Sequence, residues 1–203
     1  MVGITLALEM QAAIAEETND AASSRDRQNL VDALVARLVD VLGTAEMVFG
    51  KSAGDATLSS LRCAALHAAL AWLRLDEKGG GGIVLSPGQL AGCRGTLLQG
   101  ALAALISDDT KLREAATEFC VAVLAYGAPP SVVPGEDENA VRGMVASLVN
   151  AGNHAVNPDH EEIAMAVCKV AVAVVERDAT DVAGENASPE FLQVRVGLIF
   201  PKS

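Results

Sequence analysis

In one stretch of this chain after another, apolar residues recur every three or four positions, and outside the C-terminal tail no alternating pattern lasts more than a few residues. A period near 3.6 belongs to helices that each bury one face, so the chain is predicted to be all-α. The pattern is clearest where Leu30, Leu34, Leu38, Val41, Leu42, Ala45 and Val48 line one face up to Gly50. The apolar fraction is 51%, mostly Ala, Val and Leu, and aromatics make up only 3%, so the helices should approach closely through small side chains. With 203 residues at that apolar fraction the chain can fill a core, which excludes disorder for most of it.

Breakers and caps divide the pattern. Leu6, Met10, Ala13 and Ile14 predict a helix over residues 4–17, and Ser24 can cap the next. Asp55 opens a third, with Leu58, Leu61, Ala65, Ala69 and Trp72 on one face, ending before Gly79-Gly80-Gly81-Gly82. That glycine run lacks the strand-turn-helix setting and Lys-Ser/Thr pair of a phosphate loop and reads as a flexible connector. Ser86-Pro87-Gly88-Gln89 carries an N-cap, a first-turn proline and a capping-box glutamine for a fourth helix, running through Leu90, Cys93, Leu97, Leu98, Ala101, Leu102 and Leu105. Asp108 or Asp109 caps a fifth, with Leu112, Ala116, Phe119, Cys120, Val123 and Leu124. Glu136, Asp137 and Glu138 suit the positive end of a sixth, carrying Val141, Val145, Leu148 and Val149. Asn157-Pro158 starts a seventh, whose face of Ile163, Val167, Val170 and Val174 runs out near Arg177. Residues 178–187 have a loop composition, and Phe191 to Phe200 reads as a short helix or an extended end.

The helices beginning near Asp55, Asp109 and Pro158 recur about every fifty residues, the first two each followed by a partner helix. That period belongs to a solenoid of helix pairs; a bundle, the alternative, needs no such period. The expected organisation is an N-terminal helix and linker (1–23), helical repeats (24–177) and a loop with a C-terminal tail (178–203).

The formal charge of −11, with 26 acidic against 15 basic residues, repels phosphate backbones and anionic lipid headgroups. Direct nucleic-acid binding is not expected, and a basic protein partner is the better electrostatic match. Cys63, Cys93, Cys120 and Cys168 lie far apart in apolar helical stretches without a CxxC pair, and read as buried free thiols of a reducing compartment. No run approaches the length needed to span a bilayer, and the N-terminus lacks a basic signal region, so neither secretion nor membrane insertion is expected.

Few constellations carry chemistry. His154 and His160 straddle the Asn157-Pro158 boundary and cannot share a helix face as metal ligands, and His67 reads as a partly buried helical histidine. No Ser-His-Asp set or paired carboxylates in an apolar pocket stands out, so neither catalytic residues nor a cofactor are assigned. Trp72 reads as core rather than as a partner anchor. Recognition then falls to a wall of stacked helix pairs, on which Asp40, Glu46, Glu136, Asp137 and Glu138 are the candidate partner-binding residues; each also fits a solvated or helix-end charge.

Two segments carry a family resemblance. Leu61-Arg62-Cys63 through Ala71-Trp72-Leu73-Arg74-Leu75, followed by Leu97 to Ile106, and Leu112-Arg113-Glu114-Ala115-Ala116-Thr117-Glu118-Phe119-Cys120 resemble the importin-β superfamily of nuclear transport receptors, in particular its transportin-SR branch. The likeness runs from about Ser24 to Arg177. It implies a right-handed α-solenoid of antiparallel HEAT-like pairs, matching an internal part of a longer receptor. It further implies basic or Ser/Arg-rich cargo, Ran GTPase as a partner of the full-length receptor, and residence in cytoplasm and nucleus. The family's receptors are several times longer, and the four-glycine insertion departs from its pattern. A HEAT-like scaffold with no role in transport and a small-molecule-binding bundle are the competing expectations.

Overall fold

The structure is a computed structural model in which residues 23–52, 58–74, 85–125, 131–155 and 161–182 are described. Among them lie six helices and no strand: α1 (Ser23–Lys51), α2 (Ser59–Leu73), α3 (Pro87–Ala104), α4 (Thr110–Leu124), α5 (Glu136–Ala155) and α6 (Glu161–Val182). The all-α expectation holds for these residues. The predicted helix over 4–17, the glycine run at 79–82, His160 and the tail from 183 onward lie outside the described residues.

The starts of α3 and α4 follow the expected chemistry, whereas α2 begins after Leu58 with no side-chain cap, and Asp55 and Asn157-Pro158, the expected starts of α2 and α6, lie outside the described residues. Ser86 accepts from the Gln89 N–H while Gln89 Oε1 accepts from the Ser86 N–H at 2.9 Å, completing the capping box of α3. Asp109 caps α4 through the N–H groups of Lys111 and Leu112. Helix ends differ more: α2 stops at Leu73, and α6 continues past Arg177 through the region read as loop to Val182. Asp178 to Val182 contains neither glycine nor proline to stop it.

The helices pack in a regular order. α1 packs on α2, α3 on α4 and α5 on α6; in addition α1, α3 and α5 pack in sequence along one row, and α2, α4 and α6 along another. This corrects the pairing read from the period, which joined α2 to α3 and α4 to α5. The connection from α3 to α4 covers only residues 105–109, whereas 74–86 separate α2 from α3. Short connections make antiparallel partners, and long ones carry the chain to the next pair.

Between the rows lies one core, in which Leu66, Leu90, Leu97, Phe119 and Cys120 are fully buried and Trp72 is 3% exposed. Trp72 is core, as expected. Other expectations need correction: Leu61 is 47% exposed, Val149 is exposed, and His67 and Cys168 lie on the surface rather than inside. Val39, Met47, Leu61, Val149, Met165 and Val172, the exposed large apolar side chains of the described helices, all sit on the first or last pair and none on α3 or α4. Among the described residues the middle pair has neighbours on both sides, the others on one.

Candidate protein-interaction surface

The five acidic candidates all fall on the α1/α3/α5 row, but they do not form one open patch. Asp40 is exposed and faces Arg37 of its own helix at 3.9 Å. Glu138 is likewise exposed and faces Arg142, one turn on, at 3.8 Å. Pairs of this kind sit in high dielectric and contribute little.

Glu46 holds two helices together. Within α3, Arg94 leaves the helical region at φ −144°, ψ 48°, which splits the bond that Leu97 N–H would make to the Cys93 carbonyl. Both ends find other partners. Cys93 O accepts from the Arg94 guanidinium at 2.8 Å, and Leu97 N–H donates to the Glu46 carboxylate at 3.0 Å, which Thr96 Oγ1 also reaches. Arg94 Nη2 continues to the Val39 carbonyl at 2.7 Å, and its Nε lies 3.8 Å from Glu46. Glu46 thus works as an N-cap supplied by a neighbouring helix to the second half of α3.

Asp137 and Glu136 serve the start of α5. Asp137 accepts from Gly88 N–H at 2.8 Å and Ser131 N–H at 2.9 Å, tying α3 to α5, and Glu136 accepts from the Ser131 hydroxyl. Burial raises the Asp137 pKa, but hydrogen bonds from the Ser86 hydroxyl and from the Ser131 and Gly88 N–H groups outweigh it and hold the carboxyl below its ordinary 3.8. Glu46, Glu136 and Asp137 are therefore already engaged by protein groups.

The other row presents a different surface. α4 and α6 leave between them an open groove of about 620 Å3. Thr117, Val121, Met165 and Ala166 line its floor, and Glu114, Glu118 and Glu162 stand along it, with Lys169 on the α6 side. Met165 is 52% exposed. At one end Arg113, with a side chain only 7% exposed, donates to the Ser107 carbonyl at 2.7 Å, to Thr110 Oγ1 at 3.2 Å and to Glu162, which is 71% exposed. The buried guanidinium is satisfied by these acceptors, as a charge out of water requires. Glu118 lies 3.7 Å from Arg74 of α2.

Sequence reading missed this groove. Glu114 and Glu118 were legible as part of an amphipathic helix, and their one-turn spacing on the polar face was the available signal; that α6 lies alongside was not. A smaller depression of about 210 Å3 between α3 and α5 is lined by Gln99, Leu102, Ala103, Ile106, Ser147, Asn150 and Ala151, all uncharged. Among the described residues no group of three or more His, Cys, Asp or Glu converges as a metal site, and no helix is long and apolar enough to cross a membrane. Cys120 is fully buried, and burial pushes its thiol up to about 12.

No protein-family model, curated protein or solved structure matches the chain, so its surface is read from its own chemistry.

Proposed function

We propose that this chain is a protein-binding scaffold, a right-handed α-solenoid of antiparallel HEAT-like helix pairs that holds partners through basic segments rather than catalysing a reaction. One observation carries the reading: the contacts between neighbouring pairs join positions about one repeat apart. Hydrogen bonds link Ser59 to Asp109, Gly88 to Asp137, Leu97 to Glu46, Arg113 to Glu162, Gln99 to Ser147 and Arg177 to the Leu124 carbonyl, over separations of 48 to 53 residues. A closed bundle has no reason to repeat its junctions at one spacing; a stack of equivalent units does. Solenoids bind through distributed contacts along their helices, and the charge of −11 favours cationic partners.

The narrower form of this reading is a segment of a nuclear transport receptor that moves between cytoplasm and nucleus and carries basic or Ser/Arg-rich cargo, with Ran as partner of the full-length receptor. It rests on the resemblance of the segments around Trp72 and Phe119. Calorimetric titration of a Ser/Arg-repeat peptide at low and high salt tests the binding role. Micromolar affinity, about −8 kcal/mol or weaker, is expected, because one segment offers part of an array's contacts. Screening over a Debye length of about 8 Å at physiological salt should weaken binding severalfold as salt rises. Salt-independent binding rejects the electrostatic mechanism. Failure to co-precipitate Ran-GTP, with peptide binding intact, leaves a scaffold without a role in transport.

A further inference from the structure

We infer that the face of α6 turned away from α4 is covered by this chain's own segment 191–200, which follows α6 and closes that side of the stack; this goes beyond the binding role proposed above and does not rest on it. The repeat itself exposes the gap. Leu112, Ala116, Phe119 and Val123, the core stripe of α4, correspond position by position to Ile163, Val167, Val170 and Val174 of α6, 51 residues on in each case. At the same offset Arg113, Thr117, Val121 and Leu124 of α4 correspond to Ala164, Cys168, Val172 and Val175. The α4 set lies beneath α6: Arg113 donates to Glu162, Thr117 and Val121 lie beside Met165 and Ala166, and the Leu124 carbonyl accepts from Arg177. Their counterparts on α6 stay accessible. Cys168 is exposed, Val172 is 54% exposed, and Ala164 and Val175 are half-buried. With Ala171, one turn from both Cys168 and Val175, they make an uncharged side of the helix.

The chain supplies the occupant. From Phe191 to Phe200 seven of ten residues are apolar and Arg195 is the single charge, a run that stays in water only at a cost. Leu192, Val194, Val196, Leu198 and Phe200 alternate, so an extended segment would turn all five to one side. Reach is sufficient: Ala164 lies about 27 Å back along α6 from Val182, and the nine residues from there to Phe191 span up to about 30 Å. A second copy of the chain fits less well. The face is about 17 Å long and about 10 Å wide, far below the roughly 800 Å2 per partner of a stable interface. Two chains each carrying −11 also repel one another. A tethered segment needs no such area, since its linker sets a high effective concentration.

Limited trypsin digestion of the full chain, followed by mass spectrometry, tests this at the bond after Arg195, with a free peptide of residues 183–203 as the reference. That bond should be cut about tenfold more slowly in the chain than in the peptide, because cleavage follows the population of the released segment. Val172→Asp sets a charge on the face and should bring cutting back to the peptide's rate. Conversely, Val196→Asp with Leu198→Asp should speed alkylation of Cys168 by N-ethylmaleimide about tenfold, by uncovering the thiol. Circular dichroism checks that the variants keep their helices, as expected for positions outside the core. The wild-type digestion needs no variant, and cutting at the peptide's rate overturns the proposal. Protection that survives Val172→Asp, with Cys168 alkylation unchanged in the tail variant, overturns it too by seating the segment elsewhere. Protection lost on dilution makes a second copy the partner and rejects the intramolecular contact.

Discussion

Asp137 and Gly88 show how single residues set the spacing of the stack. A Cβ at Gly88 would lie 2.7 Å from the backbone at Glu136 and Asp137, so α3 and α5 meet there backbone to backbone. Backbone cannot swing aside as a side-chain end can. Gly88→Ala is therefore expected to cost about 1–3 kcal/mol through overpacking, read as a lower midpoint in urea; an unchanged midpoint would show that the two helices separate freely. The Asp137 carboxylate sits on the same junction, its pKa held below 3.8. A depressed folded-state pKa means that this stabilisation is complete above the unfolded value and fades as pH falls through the lower folded one. The difference in melting temperature between the wild type and Asp137→Asn should accordingly shrink from about pH 5 to about pH 2. A difference constant over that range would place the stabilisation elsewhere.

Among the helices, α3 departs most from regular geometry and α2 carries the largest buried side chain. The break at Arg94 leaves Leu97 N–H dependent on Glu46, whose side chain is 23% exposed and also faces Arg94. Glu46→Ala should cost about 2–3 kcal/mol, since it leaves an orphaned N–H and a half-buried guanidinium facing each other's lost partner. Glu46→Gln retains an acceptor and should cost clearly less; equal costs would mean that packing, not hydrogen bonding, holds the junction. Trp72, almost wholly buried on α2, should lose about 3–5 kcal/mol on truncation to alanine, from lost transfer energy and the cavity left behind. A thermal melt unchanged by Trp72→Ala would contradict its place in the core.

Stacking makes stability a matter of neighbours. Among the described helices, α3 and α4 pack on a pair at either side, whereas α1 with α2 and α5 with α6 each pack on one, and their exposed valines, leucine and methionines mark the difference. Local opening should follow that order, because free energy of opening rises with the contacts broken. Native-state hydrogen exchange is expected to show the slowest amides in α3 and α4 and faster exchange in the outer pairs. Uniform protection across the described helices would mean that the molecule opens as one unit.

Much of this was legible in the residues themselves. Local rules governed the helix starts: Ser86 and Asp109 cap where they should, because a cap needs only the few residues that follow it. Apolar period likewise located the buried faces of α4 and α6, and the fifty-residue recurrence reappears as junctions between Ser59 and Asp109 and between Gly88 and Asp137. A period does not mark where a repeat begins, however, so which consecutive helices form a pair was settled by connection length and packing. Helix N-terminal chemistry explains why Glu136 and Asp137 are acidic, but whether such a carboxylate meets solvent or a neighbouring helix depends on residues about fifty positions away. Glu46 looked available and is taken up by Leu97 and Thr96; Glu114 and Glu118 looked like ordinary surface and border the groove. Local propensity acts over a few residues, whereas exposure at a junction follows from which helices lie side by side.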